Sequence, residues 1–158
     1  MSDQQNVSSY IRSFNILFYA LLAGQAMFTA IAFFLRYSGA FINSNENLEK
    51  IFIYIVPSLY AIAVAAGTSI FKKKLPVIKM NPVFVEKLSA YRAVYILRFA
   101  LMEGACLFAI IVYLITGRQM FLLLAVLCIL TFFVLKPSKS KLVNELELSS
   151  EEALMIVD

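Results

Sequence analysis

The fold is decided by Tyr91–Gly117, YRAVYILRFALMEGACLFAIIVYLITG. The stretch is apolar enough to span a bilayer, for which about 20 such residues suffice. Yet it carries Arg98 near one end and Glu103 near the middle. An ionisable side chain at that depth costs on the order of 3 kcal/mol or more unless it finds a partner or sheds its charge. With Arg92 taken as the interface, Glu103 lies about 16 Å deeper at the helical rise per residue. That is near the midplane of a hydrocarbon core about 30 Å thick. Arg98 lies about 9 Å deep on the same scale, within reach of the interface for a long side chain that snorkels. The two are separated by about 140° around the helix, so they do not pair with each other.

The rest of the chain has the same character. Of 158 residues 61% are hydrophobic and only 15% are charged, where a water-soluble domain carries about 25%. The sequence has no His and no Trp. Without His there is no Cys/His metal site. Cys106 and Cys128 both sit in apolar runs and read as small packing residues. No metal or cofactor is implied, and no nucleophile–base pair is visible, so the chain does not read as an enzyme. The net charge of +4 is clustered beside apolar runs, which points to membrane topology and away from nucleic acid.

Four runs have a spanning or near-spanning length: Phe14–Leu35, Ile51–Phe71, Ala93–Thr116 and Met120–Leu135. The expected fold is therefore an all-α membrane protein of four transmembrane helices in one domain. Pro57 predicts a kink in the second run. The fourth, at 16 residues, is short and suits a thinned bilayer or an untilted helix. The N-terminus does not read as a cleaved signal peptide, because mostly polar residues precede a run of full spanning length. Asn81-Pro82 reads as a helix cap followed by Pro at the first helical position. In residues 136–158, Ser149 and Glu152 have capping-box spacing, predicting one or two short surface helices. Sequence leaves open whether this tail docks on residues 72–92 or lies on the membrane.

Lys and Arg set the orientation. With the N-terminus inside, the inner segments hold Arg12, Lys72, Lys73, Lys74, Lys79, Lys87, Arg92, Lys136, Lys139 and Lys141. The outer loops hold Arg36, Lys50 and Arg118. The positive-inside rule places both termini in the cytoplasm. Lys72–Lys74 sets topology first and is a secondary candidate for binding anionic lipid. Tyr10, Tyr37, Tyr91 and Tyr113 near span ends are candidates for the interfacial aromatic belt.

An internal repeat links the first and third spans. Residues 9–31 align with 89–111 without a gap, and nine positions are identical, including Arg12/Arg92 and Gly24/Gly104. The pattern predicts a tandem duplication of a helical hairpin, with spans 1 and 3 parallel and equivalent residues at equal depth. Ala20-x3-Gly24 and Ala100-x3-Gly104 are small-xxx-small patterns, which let helices approach closely in lipid. They predict that spans 1 and 3 pack through these residues, with Glu103 pointing into the bundle. Gln25, Thr29 and Ser58 are then its candidate hydrogen-bond partners. Ala61-x3-Ala65 and Ala63-x3-Gly67 form similar pairs in the second span. Arg98 reads as a snorkelling residue, with an anionic ligand or lipid headgroup as its other role.

Two resemblances follow. Ala100-Leu101-Met102-Glu103-Gly104 in an apolar helix resembles the carboxylate helix of the c or K rotor subunits of F- and V-type ATPases. The chain departs from that family in having only five glycines, in carrying its carboxylate on the first helix of a hairpin, and in its charge-predicted termini. The second resemblance covers nearly the whole chain. It rests on Ala23-Gly24-Gln25, Phe71-Lys72-Lys73-Lys74-Leu75, Glu86-Lys87-Leu88, Arg98-Phe99-Ala100-Leu101-Met102-Glu103-Gly104, Leu135-Lys136-Pro137-Ser138-Lys139 and Leu146-Glu147-Leu148. In this order they resemble a family of small four-helix integral membrane proteins of Bacteroidetes-type bacteria with no assigned activity. That resemblance implies a bacterial inner membrane and no mechanism. The functional expectation is a non-enzymatic structural or accessory subunit in the lipid bilayer, in a homo-oligomer or larger membrane complex, with Glu103 and Gln25 as buried polar glue. The alternatives are proton or cation translocation by an oligomer through Glu103, and a small-molecule or lipid-binding transporter in which Arg98 and Glu103 line a cavity.

Overall fold

The computed structural model describes residues 2–39, 46–154 and 156, and among these it is helical with no strand. The helices are α1 (Ser2–Tyr37), α2 (Glu46–Lys79), α3 (Phe84–Thr116), α4 (Gln119–Val134), α5 (Lys139–Leu146) and α6 (Ser150–Leu154). Three helices are long and apolar enough to cross a membrane: Arg12–Tyr37 within α1, Leu48–Lys79 within α2, and α3. At 16 residues α4 spans about 24 Å, and α5 turns away from it by 69°. Part of the predicted first loop, residues 40–45, lies outside the described residues.

α3 is the centre of the bundle and packs against α1, α2 and α4. Half of its most apolar window is buried, 50% against 17% for α1 and α2. The reason is where its rings stand. Tyr91, Tyr95 and Phe99 recur every fourth residue and so share one face of the helix. Tyr95 and Phe99 meet Phe14 of α1 at 5.7 and 6.1 Å, and Phe71 of α2 meets Tyr95 at 5.0 Å. Phe99 also meets Phe18 at 5.5 Å and Phe132 of α4 at 4.8 Å. Four helices thus meet in one aromatic ladder, each pair adding about 0.5–1.5 kcal/mol beyond its buried area. Beyond the ladder a second core cluster mixes small residues with Ile110, Tyr113 and Phe121. Ala105, Cys106, Ala109, Ala125 and Cys128 are buried, and the Cys106 thiol lies 3.7 Å from the Ala125 carbonyl. Both cysteines are free packing residues, as expected.

Helix ends follow local chemistry. Gly117 closes α3 in the left-handed region at φ +71°, donating its N–H to the Tyr113 carbonyl at 2.8 Å. A Cβ there would overlap the Arg36 guanidinium, so only glycine fits. α4 begins directly afterwards, at Gln119. α2 runs through Pro57 and Pro76 as one helix and continues past Lys72–Lys74 to Lys79. The predicted cap at Asn81 is displaced by two residues. Val83 is the N-cap, while Asn81 accepts from the Val83 N–H at 2.9 Å and donates to Glu86 at 3.1 Å. Of the expected belt, Tyr37 is exposed, but Tyr91 and Tyr113 are buried in the core and do not serve it. The Tyr10 side chain lies outside the described residues.

The tail docks on the protein. Leu142, Leu146 and Ile156 are buried with Phe71, Ile78 and Leu88, covering the ends of α2 and α3. Lys79–Glu147 at 2.6 Å and Lys87–Glu152 at 3.3 Å tie its rim. The capping box forms in both directions, Ser149 N–H to Glu152 at 2.9 Å and Glu152 N–H to Ser149 Oγ at 3.2 Å. These backbone and lysine contacts hold the Glu152 carboxyl below its ordinary range.

Candidate functional site

The small residues of the repeat do not pack against each other. Ala20, Ala100 and Gly104 are exposed and Gly24 is half-exposed. A Cβ added at Gly24 or Gly104 would meet no atom within 4 Å. The predicted contact between these faces is therefore wrong within the chain. The predicted register between the two helices fares better. Inter-helix partners stand at almost constant sequence offset: Ser13 with Arg92, Phe14 with Tyr95, and Phe18 with Phe99. Spans 1 and 3 thus run parallel with an offset close to that of the alignment. What turned the helices is ring size. Phe14 and Phe18 of α1 bury large apolar area against the α3 ladder, and burying such a ring is worth about 1.5–3 kcal/mol. The small faces are left outward.

Glu103 follows its neighbours outward. It is half-exposed and makes no hydrogen bond or ion pair with the described residues. The expectation that it points into the bundle is overturned with the Ala100/Gly104 face. Its three candidate partners are elsewhere. Ser58 is exposed, and Thr29 Oγ1 donates to the Gln25 carbonyl at 2.8 Å. Gln25 is 1% exposed, and both ends of its carboxamide lack a partner among the described residues. Counting two turns from the Phe18–Phe99 contact puts it near the level of Cys106. A buried unpaired amide costs about 1–3 kcal/mol, so Gln25 is a liability in this packing and not the glue expected.

Arg98 is placed by a glycine that packs. The helix pair that does use small residues is α2 with α3. Ala63 and Gly67 are buried, and a Cβ at Gly67 would stand 3.0 Å from Arg98 Cγ. The alternative pair, Ala61 and Ala65, is exposed. With its stem on Gly67, Arg98 donates from Nη2 to Thr68 Oγ1 at 3.3 Å and lies 5.4 Å from the Phe71 ring centre. No carboxylate among the described residues pairs with it. Arg98 and Glu103 do not share a site.

A polar cluster that the sequence reading missed stands where the tail meets α3. Tyr91 and Tyr95 both donate to Glu145 Oε2, at 2.6 and 3.2 Å. A second polar link, Tyr60 Oη to Thr131 Oγ1 at 2.6 Å, joins α2 to α4. The four-residue spacing of Tyr91 and Tyr95 carries the signal for one shared face, but nothing in it names Glu145. Among the described residues no group of His, Cys, Asp or Glu has metal-binding geometry.

Compared with protein-family models, with curated proteins and with solved structures, the chain matches none.

Proposed function

We propose that the chain is a non-enzymatic, four-span protein of a bacterial inner membrane, with both termini in the cytoplasm, acting as a small structural or accessory subunit that assembles with copies of itself. The observation that carries this is Glu103. It lies near mid-depth on a face of small exposed residues, and no group among the described residues satisfies it. In lipid such a carboxyl is costly alone, and a polar contact to another helix relieves the cost. The α1 face of a second copy fits. Copies inserted the same way hold Ala20 and Gly24 at the depth of Ala100 and Gly104, and small side chains leave the α1 backbone open to the carboxyl. The uniformly apolar α4 supports a fourth span, and the distribution of lysines and arginines supports the orientation.

The test is the oligomeric state in lipid nanodiscs. Glu103→Ala should weaken self-association by about 3- to 30-fold, the range of a polar contact between membrane helices. Glu103→Gln should keep most of it. A monomeric wild-type protein would overturn the proposal. A second reading, proton or cation translocation by the oligomer, draws on the same half-exposed carboxyl. It requires that Glu103→Gln abolish flux in liposomes while association persists.

A further inference from the structure

Within α3's apolar run Arg98 is anchored by its own protein, and no carboxylate among the described residues neutralises it. Its stem is seated on Gly67, its guanidinium bonds Thr68 at 3.3 Å and stacks over Phe71, and no described carboxylate answers its charge. A guanidinium offers five donors in a rigid fork, and Thr68 takes one nitrogen. The side chain is half-exposed, so the remaining donors open to the outer surface of the α2–α3 groove.

Lys72 extends the same groove. It follows Thr68 by four residues, so it stands on the same face of α2, about 6 Å nearer the end where the tail docks. Lys72 is exposed and forms no ion pair with the described residues. A cation about 9 Å inside the apolar region and a second one turn above it make a vertical pair. An anion that reaches both must sit at the headgroup boundary. The planar fork suits a phosphate, and the lysine suits it as a point charge.

We propose that Arg98, Thr68 and Lys72 form a binding site for the phosphate of an anionic phospholipid, held against the α2–α3 groove on the side of the tail. The lipid supplies the counter-charge that the described residues lack, and its acyl chains cover the apolar flank of the groove. Gly67 has a role in this site. It lets the Arg98 stem lie flat on α2, so the guanidinium points along the groove and not away from it.

The experiment is native mass spectrometry of the purified full chain in a neutral detergent, titrated with phosphatidylglycerol, with phosphatidylcholine, or with inorganic phosphate. Wild type should retain phosphatidylglycerol and not phosphatidylcholine. Arg98→Gln should weaken that binding about tenfold, the loss of a charge-assisted bond, and Arg98→Lys should fall between. Lys72→Gln should weaken it about fivefold, and Lys72 is exposed, so this variant tests the site even if Arg98→Gln does not fold. Equal retention of both lipids, unchanged binding in Lys72→Gln, or displacement of the lipid by millimolar inorganic phosphate would overturn the assignment.

Discussion

Removing Glu145 should loosen the tail. Its Oε2 accepts from both Tyr91, at 2.6 Å, and Tyr95, at 3.2 Å. Tyr91 and Tyr95 are each 1% exposed, so neither hydroxyl finds water when the acceptor goes. A hydrogen bond to a charged group is worth about 1.5–3 kcal/mol net. The longer bond and the half-exposed carboxylate argue for the low end, and the pair together contributes about 3 kcal/mol. Glu145→Ala should then raise the undocked population of α5 about 150-fold. Glu145→Gln keeps an acceptor oxygen and should raise it about tenfold. The apolar anchors Leu142, Leu146 and Ile156 remain, so the tail stays docked on average. Hydrogen exchange of the amides in Lys139–Leu146, measured in nanodiscs, reads the opening directly. Tyr91→Phe combined with Glu145→Ala should cost less than the two single effects added, because they remove the same bond. If Glu145→Ala exchanges within twofold of wild type, the two phenols do not hold the tail and the reasoning fails.

Gly67→Val should separate α2 from α3 and cost about 1–3 kcal/mol by overpacking against the Arg98 stem, read as a lower thermal midpoint in detergent. Phe99 is 0% exposed and touches rings from α1, α3 and α4, so Phe99→Ala should cost about 3–5 kcal/mol in the same assay. Acid should loosen α6. Because folding lowers the Glu152 carboxyl from its ordinary value of 4.5, its contribution is complete above that pH and is lost as pH falls through the lower folded value. Protease cleavage near Ser150 should be constant above pH 5 and rise only below about 4.5. A rise already evident near neutrality would refute this assignment.

The helices were legible because apolar runs bounded by Lys, Arg, Pro and Gly mark bilayer-length segments. The end of α3 at Gly117 and the Ser149–Glu152 capping box were readable for the same local reasons. The register of α1 against α3 was readable too, since the alignment of residues 9–31 with 89–111 gave nearly the offset found between Phe14 and Tyr95. Rotation about each helix axis was not. Small-residue patterns at Gly24, Gly67 and Gly104 look alike in sequence, and only Gly67 lies at a helix contact. The choice is made by bulky partners, Phe14 and Phe18 on one side and the Tyr91–Tyr95–Phe99 ladder on the other, and their pairing is a long-range property. Glu103 was misplaced with that face. The tail's docking surface was invisible for a related reason, because Glu145 meets Tyr91 and Tyr95 across about 50 residues of chain.

In the proposed assembly the small-residue faces of α1 and α3 meet between copies, with Glu103 at their centre. Disulfide cross-linking in native membranes reads this contact, in a chain whose buried Cys106 and Cys128 are replaced by Ala. Gly24→Cys and Gly104→Cys, introduced on separate co-expressed chains, should oxidise to a covalent dimer, while both in one chain should give no internal disulfide. An internal disulfide between the two introduced cysteines in the monomer, or no dimer from the separate chains, would contradict it.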